Sequence, residues 1–154
     1  MTIKQWLGVG VAVALLSGCG AMPYQPAPNE LMAPVRFLGL GRPLMCKDGK
    51  VYSLNAVDNS NVVKVPVGQR ISFGASIRSE GYNVVYTCGA WLGFVPEAGR
   101  SYIANSGLAG GGRCFTELVR EDAAKDTGVS VEPSIRPSAC AAPVAAAVTA
   151  SAPR

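Results

Sequence analysis

The most constraining feature of this sequence is a short-range alternation of apolar and other residues. In the stretch RISFGASIR, every second residue is apolar: Ile71, Phe73, Ala75 and Ile77. A period of two places successive side chains on opposite faces of a strand, so one face is buried and the other meets water. No apolar repeat with the 3.6-residue period of a helix is sustained between residues 35 and 120. The pattern therefore predicts an all-β chain.

Further apolar stretches follow one another at intervals of about ten residues, separated by Gly, Asn, Asp or Pro. They are VRFLGL, KVYSLN, NVVKV, NVVYTCGAWLGFV, SYIAN and RCFTELVRE. Seven or eight short strands with this rhythm favour a small antiparallel β-sandwich, immunoglobulin-like or transthyretin-like. We expect its core to contain the large residues of the two strongest strands: Ile71, Phe73, Ile77, Tyr86, Leu92 and Phe94.

One turn has a known counterpart. The stretch FVPEAGRSYIA resembles the turn that leads into a tyrosine-bearing strand in immunoglobulin-like and fibronectin-like domains. In those domains the tyrosine hydroxyl holds the corner by a hydrogen bond to the backbone. The resemblance implies this role for Tyr102. No cysteine stands two residues after Tyr102, so the immunoglobulin disulfide pattern is absent.

The N-terminal segment has the composition of an export leader. Lys4 gives a basic start, residues 6–16 are mostly apolar, and Ser17 and Gly18 are small. The apolar stretch is shorter than the roughly 20 residues that a transmembrane helix needs. We therefore expect residues 1–18 to be a signal peptide.

The four residues that end in Cys19, LSGC, resemble the lipobox of bacterial lipoproteins at each position. The resemblance implies that Cys19 becomes the first residue after cleavage and carries acyl chains on its sulfur and its amino group. Several chains on one residue attach a protein firmly to membrane lipid. Gly20, in place of an aspartate, implies export to the periplasmic face of the outer membrane. The alternative is a secreted protein cut near Ala21, with Cys19 discarded.

The composition divides the rest of the chain into three parts. Residues 19–34 carry the lipidated cysteine and four prolines, which predicts an extended tether. The sandwich is expected at 35–122. Residues 123–154 are rich in Ala and Pro and contain no aromatic residue, so we expect a partly disordered tail with a short edge strand at VSVEPSI. The whole arrangement is similar to that of small uncharacterised lipoproteins of Gram-negative bacteria, a resemblance that carries no known site.

Four cysteines remain after Cys19, and an even number in an exported chain indicates disulfides, with three pairings allowed. Cys88 lies in the longest apolar strand, and Cys114 opens the strand after a glycine-rich loop. We expect these two strands to be neighbours, close enough for a disulfide, and therefore favour a Cys88–Cys114 bridge. This leaves Cys46 and Cys140 as the second pair. A free Cys140, or a link between chains through it, is the alternative. A zinc site is disfavoured because no two of these cysteines lie two to four residues apart.

Catalytic chemistry has little support in the sequence. The chain contains no histidine, which excludes Ser-His and Cys-His hydrolase arrangements. The loop GLAGGGRC lacks the Lys-Ser/Thr pair of a phosphate-binding loop, and hairpin turns commonly use glycine. The carboxylates of Asp48, Asp58, Glu80 and Glu97 fall in predicted turns, where they are expected to be solvated. We predict no enzyme activity, no cofactor and no metal.

The basic residues are scattered along the chain, so no nucleic-acid-binding patch is expected. The sequence thus predicts an outer-membrane lipoprotein with a non-catalytic binding or scaffolding role in the cell envelope. Its expected partner is membrane lipid, through acylated Cys19, and an envelope protein is a further candidate partner. A membrane-anchoring subunit of an envelope machine and an envelope hydrolase are the alternatives. Tyr82, Tyr86 and Trp91 are candidates for an exposed aromatic platform, but a cluster divided between core and surface is the favoured interpretation. An exposed unpaired strand or an apolar patch would favour binding. A concave pocket with convergent carboxylates would favour a hydrolase.

Overall fold

The computed structural model describes residues 21–58, 60–81 and 83–140; Cys19, the predicted leader and residues 141–154 lie outside them. The described chain contains eleven strands and one short 3-10 turn at Gly110–Gly112. The strands are β1 (Met22–Pro23), β2 (Met32–Phe37), β3 (Arg42–Lys47), β4 (Lys50–Ser53), β5 (Val62–Pro66), β6 (Ile71–Gly81), β7 (Val84–Phe94), β8 (Tyr102–Ala109), β9 (Arg113–Glu121), β10 (Val129–Val131) and β11 (Arg136–Pro137). The all-β prediction is confirmed.

The strands form two sheets. The β6 sheet has the order β1-β4-β3-β6-β7-β11, and the β8 sheet has the order β10-β9-β8-β2-β5. Neighbouring strands are antiparallel except for the parallel pairs β1–β4 and β2–β8. When the eight longer strands, β2 to β9, are lettered A to H, the sheets read C-B-E-F and H-G-A-D. An immunoglobulin constant domain has A-B-E-D and C-F-G. The predicted sandwich is therefore confirmed, with a strand order that differs from that of an immunoglobulin constant domain.

The core lies between the two sheets, as the period-two pattern requires. Ile71, Phe73 and Ile77 of β6 are buried, as are Leu92 and Phe94 of β7. The opposite wall of the core is built by β2, β5, β8 and β9: Ala33, Val35, Phe37, Val63, Val65, Tyr102, Ala104 and Leu118. Full burial of one large apolar side chain contributes about 1.5 to 3 kcal/mol, so this layer is the main source of stability.

Tyr86 was predicted to be in the core, and this prediction is wrong, because its side chain is 56% exposed. Tyr86 pairs with Ser79 across the long β6–β7 hairpin and shares the inner face of β7 with Cys88. Cys88 is bonded to Cys114, which lies near the end of the β8–β9 hairpin. The β6–β7 hairpin therefore projects past the other sheet, and no strand among the described residues covers Tyr86.

The turn before β8 has the geometry that its resemblance implied. The Tyr102 hydroxyl accepts a hydrogen bond of 2.9 Å from the backbone N–H of Glu97. Its ring is fully buried and meets Phe94 edge-on, with ring centroids 5.2 Å apart. Burial raises the pKa of Tyr102, so the hydroxyl stays neutral. The tyrosine fixes the corner between the two sheets.

Strands also form outside the range 35–122 that the sequence indicated for the sandwich. β1 and the start of β2 lie in the predicted tether (19–34), and β10 and β11 lie in the predicted tail (123–154). The edge strand expected at VSVEPSI is confirmed as β10. These segments have few large apolar side chains, but the backbone groups of neighbouring strands hold them.

A buried carboxylate fixes the tail between β10 and β11. Glu132 is only 1% exposed, and its Oε1 accepts hydrogen bonds from the backbone N–H and the hydroxyl of Ser134. The Ser134 hydroxyl in turn accepts a hydrogen bond from the N–H of Val95, beside the end of β7. The tail is therefore tied to the domain by polar contacts that the sequence pattern did not indicate.

Beyond Glu132 the chain crosses the outer face of the β6 sheet. β11 pairs with β7 at Gly93, the hydroxyls of Ser138 and Ser72 share a hydrogen bond, and Cys140 is bonded to Cys46. These partners lie on β7, β6 and β3, so the segment runs across three neighbouring strands. A Cβ at Gly93 would lie 3.1 Å from the Cβ of Ser138, so glycine leaves room for the crossing.

Candidate functional site: the free edge of strand β7

The two favoured disulfides are present. Cys88 and Cys114 have Cα atoms 6.0 Å apart, and Cys46 and Cys140 have Cα atoms 5.4 Å apart. The first pair was expected on neighbouring strands, but β7 and β9 belong to different sheets and face each other. The first bridge thus staples the two sheets, and the second holds the C-terminal segment on β3. Cys19, the predicted lipidation site, lies outside the described residues.

The carboxylates singled out in the sequence are dispersed. Asp48 and Asp58 have left-handed backbone conformations in turns, with φ of 52° and 50°. Glu80, which was predicted in a turn, lies in strand β6 near its end, 3.1 Å from Arg78. Glu97 is 3.7 Å from Arg100, and the side chains of both pairs are more than half exposed. Within residues 21–58, 60–81 and 83–140, no three His, Cys, Asp or Glu side chains are grouped so that they could hold a metal ion.

A shallow pocket of about 360 Å³ opens between the β2–β3 and β4–β5 loops. Its walls include Phe37, Arg42, Leu54, Asn55 and Asn61, and no Asp or Glu lines it. A pair of convergent carboxylates, which acid-base catalysis would need, is therefore not present in this pocket.

Strand β7 presents a free backbone edge. One side of β7 pairs with β6 along its whole length. On the other side, among the described residues, β11 pairs only with Leu92 and Gly93. We call residues 84–91 the β7 edge. Such an edge offers unpaired N–H and C=O groups to another extended chain.

The β7 edge lacks the usual protection of an edge strand. Its sequence, VVYTCGAW, contains no charged residue and no proline. Natural edge strands commonly carry charges or proline, or are very short. The other edges of the sandwich follow this rule, because β5 contains Lys64 and Pro66, β9 contains Arg113 and Glu117, and β10 has three residues. The β7 edge is therefore suited to pairing with another chain.

Exposed apolar side chains accompany the free backbone. Val85 is 54% exposed, Tyr86 is 56% exposed, and Leu108 is 41% exposed beside Cys114, its cross-strand partner. Tyr86 lies on the inner face of β7 and Val85 on the outer face, because successive side chains alternate. A chain that pairs with the β7 edge would thus find apolar contacts on both faces.

The β7 edge is fastened to neighbouring strands at its base. The Cys88–Cys114 bridge joins it to β9, and the Thr116 hydroxyl donates a 2.9 Å hydrogen bond to the carbonyl of Ala90. On the outer face, the ring of Trp91 packs over Gly74, where a Cβ would collide with the Ala90 carbonyl. A strand that is already fastened loses less conformational entropy when a partner pairs with it.

The aromatic platform considered in the sequence does not form as one surface. Tyr86 is exposed on the inner face of β7, whereas Trp91 is half-buried on the outer face. Tyr82 lies outside the described residues. Sequence reasoning missed the free edge because pairing between distant strands decides which edge is covered, and no local pattern records it.

No helix in the described part of the chain is long and apolar enough to span a membrane. The chain matches none of the protein-family models, curated proteins or solved structures with which it was compared.

Proposed function

We propose that this protein is an outer-membrane lipoprotein, anchored through acylated Cys19 at the periplasmic face, with a non-catalytic binding role. Its ligand is an extended, largely uncharged segment of another envelope protein. That segment adds as a strand to the β7 edge. The observation that carries the proposal is the unprotected backbone of residues 84–91, which include the exposed Val85 and Tyr86.

Strand addition explains both affinity and selectivity. Main-chain hydrogen bonds supply the affinity, and the side chains that alternate along the added strand supply the specificity. A segment on the β7 edge would place one set of side chains beside Tyr86 on the inner face. The other set would lie beside Val85 and Thr87 on the outer face. Because residues 84–91 carry no charge, charged side chains on the added strand would gain no ion pair from this edge.

The covalent chemistry supports an exported location. Disulfides persist in oxidising compartments such as the bacterial periplasm and are rare in the cytosol. The four cysteines of the sandwich and its C-terminal segment form two bridges. This use of cysteine agrees with the export leader and with an acylated Cys19.

The test is site-specific photo-cross-linking in intact cells. A photoreactive residue replaces Val85 at the β7 edge and, as the matched control, Lys64 on the opposite edge strand β5. We expect a discrete adduct from position 85 that maps to an extended segment of an envelope protein, and no such adduct from position 64.

A second variant checks that the backbone edge is responsible. Thr87→Lys adds a charge at an exposed position, so the fold should be retained while the adduct from position 85 is lost. Equal adducts from both edges, or an adduct that survives Thr87→Lys, would refute edge binding. If the adduct joins two copies of this chain, the segment that pairs with the β7 edge belongs to a second copy and not to an envelope protein. In parallel, a Cys19→Ala protein that still sediments with outer membranes would refute the anchor.

A further inference from the structure

The segment after the anchor is fastened to the domain by a compact polar cluster. The Tyr24 hydroxyl donates to both carboxylate oxygens of Glu30, at 2.9 and 2.8 Å. The Lys47 ammonium donates to Glu30 at 3.0 Å and to the Tyr24 hydroxyl at 3.2 Å. The Glu30 carboxylate also accepts the backbone N–H of Ala27 at 3.0 Å. We call Tyr24, Glu30 and Lys47 the clasp.

The clasp is shielded from water, which strengthens its ion pair relative to an exposed one. The side chains of Lys47 and Glu30 are only 19% and 18% exposed. Burial favours the neutral form of Glu30, but hydrogen bonds from Lys47, Ala27 and Tyr24 outweigh it and lower the pKa of Glu30. Burial likewise opposes the charge on Lys47, but its bonds to Glu30 and Tyr24 raise the pKa of Lys47. Both groups therefore stay charged across the neutral range.

The strand before the clasp is fixed as well. Met22 pairs with Tyr52 of β4, and the N–H of Tyr24 donates to the carbonyl of Ser53 at 3.0 Å. The rings of Tyr24 and Tyr52 meet edge-on at 5.3 Å. The chain is thus bound to the domain from Met22 onward.

This attachment shortens the distance between the anchor and the domain. If residues 19–34 were a free proline-rich tether, they would span roughly 50 Å at about 3.1 Å per residue. With β1 bound, only Gly20 and Ala21 separate Cys19 from Met22. Three chain steps reach at most about 11 Å.

We infer that the sandwich lies against the bilayer, with the edge formed by β1 and the β3–β4 turn in contact with phospholipid. This inference rests on the proposed acylation of Cys19. Met22 is 65% exposed and Val51 is 36% exposed at this edge, and Lys50 beside them is exposed. The apolar side chains suit the headgroup–acyl boundary, and a lysine at this boundary can keep its charge among the headgroups while its methylene chain lies along apolar surface. The anchor and apolar contact therefore hold this surface to the bilayer.

The orientation also places the β7 edge away from the membrane. β1 and β7 lie four strand steps apart in one sheet, which is about 19 Å at the usual strand spacing. Val85 also lies eight residues from Gly93 along β7. The separation between the two edges therefore has a further component of about 26 Å along the strand direction. The binding edge would thus face the periplasm while the opposite edge of the same sheet faces lipid.

The test uses full-length lipidated protein in vesicles of phosphatidylethanolamine and phosphatidylglycerol whose acyl chains carry bromine, a contact quencher of tryptophan. In a Trp91→Phe background, Val51→Trp and Met22→Trp report on the inferred contact, and Leu108→Trp is the matched control. We expect a large loss of fluorescence for each of the first two variants and none for the control. Peptide mapping of the two disulfides checks that each variant is folded.

A spacer variant distinguishes attachment of the protein to the vesicle from contact between the protein surface and the lipid. A Gly-Ser insert of about 8 residues between Gly20 and Ala21 adds up to ~27 Å of reach, so it should abolish quenching while the protein still floats with the vesicles. The same insert in the 3-10 turn at Gly110–Gly112 should leave quenching unchanged. If the protein does not float, the anchor is refuted and the inference falls with it. If it floats and neither reporter is quenched, the inference alone is refuted.

Discussion

Removal of the Cys46–Cys140 bridge tests whether the crossing C-terminal segment stabilises the domain through chain entropy. The two cysteines are 94 residues apart, and the Cys88–Cys114 bridge, which spans 26, lies within that loop. Subtracting 26 from 94 leaves about 68 residues of free loop while the inner bridge is intact. The chain-entropy relation then gives about 4.4 kcal/mol for the outer bridge. The inner bridge, by the same relation, contributes about 3.5 kcal/mol.

The assay is urea unfolding of the Cys46→Ala/Cys140→Ala protein, with Cys88→Ala/Cys114→Ala as the matched control. We expect both to be destabilised, the first by about 1 kcal/mol more than the second. Since a small domain is stable by only about 5 to 15 kcal/mol, either loss should lower the unfolding midpoint visibly. The reverse order would refute the reasoning, because the staple between the two sheets would then outweigh the entropy of the longer loop.

Three further predictions concern single residues. Tyr102→Phe removes the acceptor for the N–H of Glu97, so the free energy of unfolding should fall by about 1 kcal/mol in thermal denaturation, and an unchanged value would contradict the corner's role. Gly74→Ala places a Cβ against the Ala90 carbonyl and should destabilise by about 1 to 3 kcal/mol. Gly110→Ala is the control, because a Cβ at Gly110 would have no neighbouring atom within 4 Å, so the free energy of unfolding should hardly change. Equal effects of the two substitutions would contradict the close approach of β7 to β6 at Gly74. The pKa of Glu30 is lower in the folded chain than its ordinary 4.5, so the unfolded chain binds the proton more readily. The stabilisation by Glu30, measured against Glu30→Gln, should therefore be present above about pH 5 and be lost as the pH falls through the lowered pKa; a difference independent of pH would contradict the clasp.

The local pattern of the sequence was enough to predict several parts of the fold. The alternation in β6 identifies its buried face because side chains in a strand point to opposite sides at every second residue. The turn before Tyr102 identifies the corner, because the tyrosine is close in sequence to the backbone group that it binds. Cysteine number and position led to both disulfides, although the reason given for Cys88 and Cys114 placed them on neighbouring strands and not on facing ones.

Other features depend on contacts between distant parts of the chain, so only the tertiary structure decides them. Tyr86 has the same alternation as the buried residues of β7, but it is exposed because the opposite sheet ends before it. Residues in the proline-rich segment join the domain because Glu30 meets Lys47, which is 17 residues further along the chain. The free edge of β7 exists because the described part of the returning tail, up to Cys140, pairs with only two residues of β7. Each of these three features depends on where a strand ends and on which segment lies beside it. The periodicity of side chains along one strand encodes neither.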